Sequence, residues 1–434
     1  MWKLPDPRAP SQSEATFEDY KAPYDAQQAA AEASRCLYCY DAPCIKACPT
    51  EIDIPSFIRK IATGNVKGSA RTILSANILG TSCARVCPVE VLCVGECVYN
   101  EAGIPPIQIG RLQRFATDQA VAANWRFFEA GPDTGKHVAL VGAGPASLAA
   151  AHELRRHGHA VTIYEKGSVP GGLNVTGVAP YKLRVVDALA ELDWVLEIGG
   201  IEVVLNTEIG RDRTWASLAE DHDAVFLGVG LGPDRSLPGA DLPGVFGAVA
   251  WIEQMKLGRI DISAVREAVV VGGGNTAVDC VRELLGLGVP SVTMLYRGVE
   301  SKMSGYTHEW DAAKQEGARS IWGASPAGFL GAEPGGEGAV SGVRYTDATG
   351  THAAPAQLVL LAIGQSKLGD QLAALGIHAE AGRVLADRSG ATSRPGWYVA
   401  GDALNGGKEV VNAVAEGKRA AAGIHAFLSG GGHA

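Results

Sequence analysis

Eight of the nine cysteines in this 434-residue chain fall between residues 36 and 97. They read Cys36-x2-Cys39-x4-Cys44-x3-Cys48-Pro49, then Cys83-x3-Cys87-Pro88, Cys93 and Cys97. Thiolates at such spacings, with Pro after the last cysteine of a run, are how proteins hold cubane iron–sulfur clusters. In such runs the cysteine before Pro often serves a different cluster from its predecessors. Spacing alone therefore puts Cys36, Cys39 and Cys44 on one cluster and starts a second at Cys48. Two [4Fe–4S] clusters need eight ligands, and eight clustered cysteines are the simple answer. A disulfide framework fits small secreted chains that lack a core, and this chain is neither small nor led by an apolar signal segment. Cluster ligation in a reducing cytoplasm is the expectation.

Two glycine-rich loops follow. Gly142-Ala143-Gly144-Pro145-Ala146-Ser147 comes after the apolar run His137 to Val141 and before helical patterning. Glycines there allow a tight turn and close approach of backbone to a pyrophosphate, whose charge the helix N-terminus attracts. Glu165 ends the next strand, Val161 to Tyr164, and can accept from a ribose hydroxyl. Ser147 stands where a third glycine is usual. With Gly401-Asp402 near the C-terminus, this loop reads as an FAD site. The second loop, Gly272-Gly273-Gly274-Asn275-Thr276-Ala277, follows Glu267 to Val271 and has the same strand–loop–helix setting. Its second strand, Val292 to Tyr296, ends at Arg297 rather than at an acid. Arg297 can pair with a 2′-phosphate or stack on adenine. Gly298 follows, so no second basic residue stands beside it, and Lys302 is the nearby cation. This favours NADH over NADPH.

The elements that must carry these groups fall into a helical cysteine segment and two βαβ units. Helical periodicity marks Ile54 to Ile61 and Ala70 to Leu79. Gly131-Pro132-Asp133 reads as a linker. We expect an α/β protein with a helical bis-[4Fe–4S] domain at 1–130, an FAD domain at 136–262 resuming at 367–434, and a nicotinamide domain inserted at 263–366. The glycine-rich tail from Ser429 to Ala434 is expected to be disordered. The net charge of −9 and 20% charged residues fit a globular protein and speak against nucleic acid or an anionic membrane as main partner. No run of 18 apolar residues is present.

Several chemistries are disfavoured. No Cys-x-x-Cys accompanies either glycine loop, and lone Cys280 reads as a buried helix residue, so a redox dithiol is not expected. The ten histidines show no HExxH spacing. His152, His157 and His159 lie near a helix end, where solvated or capping roles are ordinary. No Ser-His-Asp reading has local support.

The stretch from Cys36 to Phe57 resembles the N-terminal half of dihydropyrimidine dehydrogenases. So do Val86-Cys87-Pro88, Cys93 to Cys97, and Ile109 to Thr117. The likeness runs from about residue 15 to 427 and is strongest to the separate NADH-oxidising flavin and iron–sulfur subunit of two-subunit bacterial enzymes. The small subunit of glutamate synthase shares the architecture. The resemblance implies that Cys36, Cys39, Cys44 and Cys97 hold one cluster, and that Cys48, Cys87, Cys93 and Gln113 hold the other. Cys83 would then be a non-ligand. A neutral oxygen ligand removes one negative charge relative to thiolate, which biases a cluster's potential upward. The glutamate synthase relatives carry Glu at the Gln113 position, so Gln113 discriminates the two branches. The resemblance also places FAD against Val86, the Gly142 loop through Ala146, Glu165, Gly172, Leu173, Lys182, Gly401, Asp402, Val410 and Val411. Lys182 stands where the mammalian enzyme has Arg. The nicotinamide dinucleotide would lie on Gly273, Gly274, Asn275, Thr276, Arg297, Ala362 and Gly364.

The expectation is an electron-input subunit: hydride from NADH to FAD, then electrons through two clusters to a partner. No pyrimidine-binding domain fits in the remaining residues. The resemblance implies an FMN- and iron–sulfur-bearing partner in a hetero-oligomer, reducing uracil or thymine to the 5,6-dihydro base in pyrimidine degradation. Electron input to glutamate synthesis is the first alternative. A scaffold whose clusters are only structural is the second.

Overall fold

A computed structural model describes residues 14, 16–333 and 338–430. Residues 431–434 of the glycine-rich tail lie outside the described residues. The N-terminal domain is helical. Helix α1 (Ala26–Ser34) opens on a capping box in which Asp25 accepts from the Gln28 amide and Gln28 reaches back to the Asp25 amide. Helix α2 (Ile54–Ala62) is capped by Asp53 and buries Ile54, Phe57, Ile58 and Ile61 on one face. Helix α3 (Val66–Ala76) starts at an Asn65 cap. It ends short of the expected Leu79, because Asn77 leaves the helix (φ −135°) and its side chain accepts the Leu79 amide at 3.1 Å. That turn launches α4 (Gly80–Val86), which ends at Cys87. Helix α5 (Ile109–Ala122) packs across α3 and α4.

Two parallel five-stranded sheets follow. The first contains β1 (His137–Val141), β2 (Ala160–Tyr164), β3 (Ile201–Val204) and β4 (Ala224–Leu227). Between its strands lie α6 (Pro145–Arg156), the short α7 (Leu173–Thr176) and α8 (Val185–Leu196). The second contains β5 (Val245–Gly247), followed by α9 (Ala248–Lys256), then β6 (Glu267–Val271), α10 (Asn275–Gly286) and β7 (Ser291–Tyr296). Helix α11 (Thr307–Gln315) and β8 (Arg319–Trp322) come next. An antiparallel ribbon of β9 (Ser325–Gly331), β10 (Val340–Asp347) and β11 (Gly350–Pro355) covers one face of that sheet. Strand β12 (Leu358–Leu361) returns to it between β5 and β6. The chain then rejoins the first sheet with β13 (Trp397–Val399) and ends in α12 (Val410–Leu428). The orders are β13-β4-β1-β2-β3 and β5-β12-β6-β7-β8. Strand β5 stands in the second sheet, upstream of residue 263, where sequence placed the start of that unit.

Strands β4 and β12 are buried at every residue, as parallel strands covered on both faces must be. Helix α12 lies along α6 so closely that a Cβ at Gly417 would come within 2.2 Å of the Ala146 carbonyl oxygen. Gly417→Ala must therefore push apart the helix that follows the first glycine loop. A loss of about 1–3 kcal/mol is expected, read as a lower melting temperature and lower flavin content in the purified protein. Unchanged melting and flavin content would show that the helices separate without cost.

Candidate cofactor sites

The cysteines converge in two groups. Cys36, Cys39, Cys44 and Cys97 line one cavity together with Leu37, Ile54, Ile58 and Ile107. The loop that carries the first three turns on Tyr38, whose φ of 53° is unusual for a residue with a side chain. Arg59 stacks 4.6 Å from the Tyr38 ring. Burial, with the thiols of Cys36, Cys97 and Cys39 close by, pushes the Cys44 thiol up to about 12. Burial likewise raises Cys36, next to Cys39 and Cys97. The second group is deeper. Burial raises the Cys93 thiol well above its ordinary value, and its thiol neighbours are Cys87, Cys48 and Cys44. Cys87 is raised first by a hydrogen bond with Cys83, then by burial.

All nine cysteines are free, so no disulfide framework forms. Among the described residues no three His, Cys, Asp or Glu side chains close around a single ion. A cubane spreads its ligands, one per iron, around a wider void, and this donor set fits that demand. Thiols packed this way resist ionisation, whereas bound iron requires thiolates. Gln113 is buried on α5 and its Nε2 donates to the Gly80 carbonyl at 2.8 Å. Lys21 escaped the sequence reading. Its Nζ donates to the Cys87 carbonyl at 2.6 Å, and its charge lowers the Cys87 thiol. Nothing local in the sequence marks it, because Lys21 lies 66 residues before Cys87.

The first glycine loop sits at the C-terminal edge of its sheet. Gly142 adopts φ +92°, and a Cβ there would lie 2.5 Å from the Gly228 carbonyl oxygen. Gly144 caps α6 and faces open space, with Pro145 at the first turn. Ser147, at the place of a third glycine, is buried against Gly228, where any Cβ would meet its Oγ at 2.0 Å. The Glu165 carboxylate accepts the Ala143 amide at 2.8 Å and the Gly167 amide at 2.7 Å. Gly172, which caps α7 ahead of Leu173, lies against Gly144. Gly401 lies against Ala146. Gly401 donates its amide to Glu416 at 2.8 Å, and burial raises the neighbouring Asp402 carboxyl. Val410 and Val411 begin α12. Val86 packs beside Val169, Val175 and Leu183.

In the second loop Gly272 has φ +143° and abuts the Ala362 carbonyl, and Gly273 lies under the Tyr296 ring. The Asn275 side chain accepts the Tyr306 amide at 2.9 Å. Thr276 lies in the first turn of α10, and Gly364 has φ +92°. Arg297 is exposed at the end of β7. Gly298 also lies against Tyr296, so a side chain there would need that ring to move.

The two nucleotide units are tied together near these loops. The Tyr306 hydroxyl donates to Glu409, just before α12, at 2.7 Å. Lys182 reaches from the first unit into the second, 2.9 Å from Asp279 on α10 and 2.8 Å from Glu309 on α11. Tyr181 also donates to Asp279. Lys256 of α9 donates back to the carbonyls of Val178 and Leu183 at 2.6 and 2.8 Å. Glu283, one turn beyond Asp279, is fully buried with neither carboxylate oxygen hydrogen-bonded, and burial pushes its carboxyl well up. Of the histidines expected in solvated or capping roles, His157 does cap the C-terminus of α6 and stacks on His425, whereas His159 is buried 2.9 Å from that same ring and His152 is buried as well.

A cysteine-lined helical domain ahead of two glycine-loop sheets defines an NAD(P)H-dependent iron–sulfur flavoprotein oxidoreductase. Residues 13–125 match the family described as dihydropyrimidine dehydrogenase domain II, 4Fe–4S cluster, and residues 136–417 match pyridine nucleotide-disulphide oxidoreductase. The NAD-dependent dihydropyrimidine dehydrogenase subunit PreT of Escherichia coli K12 is 36% identical, over 92% of this chain and 94% of its own. The glutamate synthase [NADPH] small chain of the same organism is 34% identical over 95% and 94%. Among solved structures, Mycobacterium tuberculosis FprA in complex with NADPH superposes with a TM-score of 0.56 at 20% identity, over 69% of this chain and 85% of that one. Thioredoxin reductase of T. acidophilum gives 0.53 at 21%, over 67% and 98%. These two speak for the fold of the nucleotide units. The chain belongs to the family of iron–sulfur flavoprotein subunits that includes PreT and the glutamate synthase small chains. Its cofactors are FAD, 4Fe–4S iron–sulfur and a nicotinamide dinucleotide. No helix among the described residues is long and apolar enough to cross a membrane.

Replacing Lys182 by Ala leaves Asp279 and Glu309 facing each other without a cation. Uncoupling a buried pair typically costs about 3–5 kcal/mol. The midpoint of urea unfolding should fall at neutral pH. A midpoint unchanged at pH 7 would mean that Lys182 does not hold the two units together.

Proposed function

We propose that this chain is the NADH-oxidising subunit of a dihydropyrimidine dehydrogenase. In this reading it passes electrons to an FMN- and iron–sulfur-bearing partner that reduces uracil or thymine to the 5,6-dihydro base. The observation that carries the reading is the pairing of two separate thiol groups with two nucleotide loops, in a chain that spans nearly all of PreT. The bound cofactors would supply hydride transfer and single-electron steps, and the protein supplies placement and electrostatics.

In this reading Cys36, Cys39, Cys44 and Cys97 hold one [4Fe–4S] cluster. Cys48, Cys87, Cys93 and Gln113 hold the other, with Cys83 a hydrogen-bonding neighbour of Cys87. The burial of Gln113 beside α4 supports its part in the second set. Lys21 places a positive charge beside that set and offsets thiolate charge. The amides at the start of α6 receive the FAD pyrophosphate, and Glu165 accepts from the ribose. Gly172, Leu173, Val86, Gly401, Asp402, Val410 and Val411 frame the rest of that cofactor. Gly273, Gly274, Asn275 and Thr276 receive the pyrophosphate of the nicotinamide dinucleotide, with Arg297, Ala362 and Gly364 around it. The Tyr306–Glu409 hydrogen bond holds that loop towards the start of α12. A single exposed Arg297 followed by Gly298 supports NADH over NADPH. The free thiols support a reducing, cytoplasmic setting.

Electron input to glutamate synthesis is the second reading, favoured by the 34% identity to a glutamate synthase small chain over nearly both full lengths. The test is to purify this chain with its native partner and assay the complex anaerobically with NADH and uracil. NADH-dependent loss of uracil by an FMN-containing complex is the expected result. A large glutamine-using partner and no uracil turnover would overturn the first reading and establish the second.

A further inference from the structure

Glu191 on α8 is a fully buried carboxylate in the flavin unit, yet its partners belong to the cysteine domain. It accepts the Thr81 amide at 2.6 Å and the Ser82 amide at 3.0 Å, and the Ser82 hydroxyl as well. Ser82 also accepts from the Asn174 side-chain amide at 2.9 Å. Asn174 lies on α7, directly after Gly172 and Leu173. At its other end α4 presents Val86 and stops at Cys87. One carboxylate thus grips both the helix that delivers a cluster thiol and, through Ser82, the loop that frames the flavin. Capping the buried amides at the start of α4 does not by itself call for a charge, because a neutral side-chain oxygen can accept the same bonds.

We propose that Glu191 is a positioning residue of the flavin-to-cluster electron step: it locks the helix ending in Cys87 to the flavin loop, and its negative charge tunes the potential of the cluster on Cys87. This rests on the assignment of Cys87 to a cluster and of the 172–174 loop to FAD. Helix rise of about 1.5 Å per residue puts Cys87 roughly 8 Å along the axis from Ser82. At that range, in a dry interior, a charge is felt with little screening.

The carboxyl can change its charge near neutral pH. Burial pushes it up to about 7, against the pull of the Ser82 and Thr81 donors and of Arg85. The groups around it from each packed element are few. Helix α4 brings Arg85, which is held by Asp118 of α5 at 2.7 Å. Asp118 is itself shared with Arg114. Helix α6 brings His152, packed edge-on against Phe128 and kept neutral by burial, which pulls it down to about 3. Helix α7 brings no titratable side chain, and on α8 itself Asp187 pairs with Arg184. Among them Glu191 is the carboxyl that burial raises to about 7.

The test is a redox titration of the full-length holoprotein, followed by electron paramagnetic resonance, at pH 6 and pH 8. Glu191→Gln should keep its iron and FAD. Its cluster potential should lie above wild type at pH 8, where the carboxylate is charged, and meet wild type at pH 6. Equal potentials at both pH values, or one constant offset, would overturn the proposal and leave Glu191 a helix cap. Ser82→Ala keeps the carboxylate and both amide bonds but removes one donor, so the pH-dependent step in potential should move to higher pH. A step that stays in place also overturns the proposal, and this variant decides if Glu191→Gln does not fold. Wild-type protein without a cluster on Cys87 would overturn the functional reading as well. A normal cluster indifferent to both variants would overturn this inference alone.

Discussion

Thiols this crowded cannot all ionise beside one another without a cation, and the N-terminal domain is built around that constraint. The loops of Cys36 to Cys48 and Cys87 to Cys97 bury them between α2, α4 and α5, and Lys21 places a cation beside Cys87 of the deeper group. Burial raises the thiols of Cys36, Cys44 and Cys93, and thiol neighbours raise them further. Iron reverses that cost by neutralising thiolate charge, so metal binding and the stability of this domain are one quantity. The remaining helical core, from Phe57 to Leu112, holds the two thiol groups at fixed separation.

The same economy of placement governs the junctions. Three units meet, and each junction carries a buried or half-buried polar contact. Glu191 joins the cysteine helix to the flavin unit, Tyr306–Glu409 joins the two glycine-loop units, and Lys182 is held between Asp279 and Glu309. Buried pairs contribute little net stability, but they penalise misalignment heavily. That suits a protein whose task is to hold redox groups at fixed distances.

The cysteine spacing and the glycine loops were legible in the sequence because their chemistry is local: a thiol every few residues, a glycine wherever backbone must approach backbone. The sheets followed from apolar runs buried on both faces. Strand β5 was not legible, since Val245–Gly247 is too short to show a period and its place is set by pairing with β12, more than a hundred residues on. Helix α3 was placed late by apolar spacing alone, because the Asn65 and Asn77 turns, not periodicity, fix its ends. Lys21 and Glu191 could not be read at all. Their partners lie 66 and 110 residues away, and each looks like an ordinary charged residue in its own segment. The proposal of Gln113 rather than Cys83 for the second set likewise rests on resemblance, not on spacing.

The central claim is that these sites form one electron path. An anaerobic titration of the holoprotein with NADH, followed together by flavin absorbance and electron paramagnetic resonance, tests it most directly. The account predicts that the flavin bleaches and that reduced iron–sulfur signals grow from the same additions of NADH. Flavin bleaching with clusters that stay oxidised to the end would contradict it.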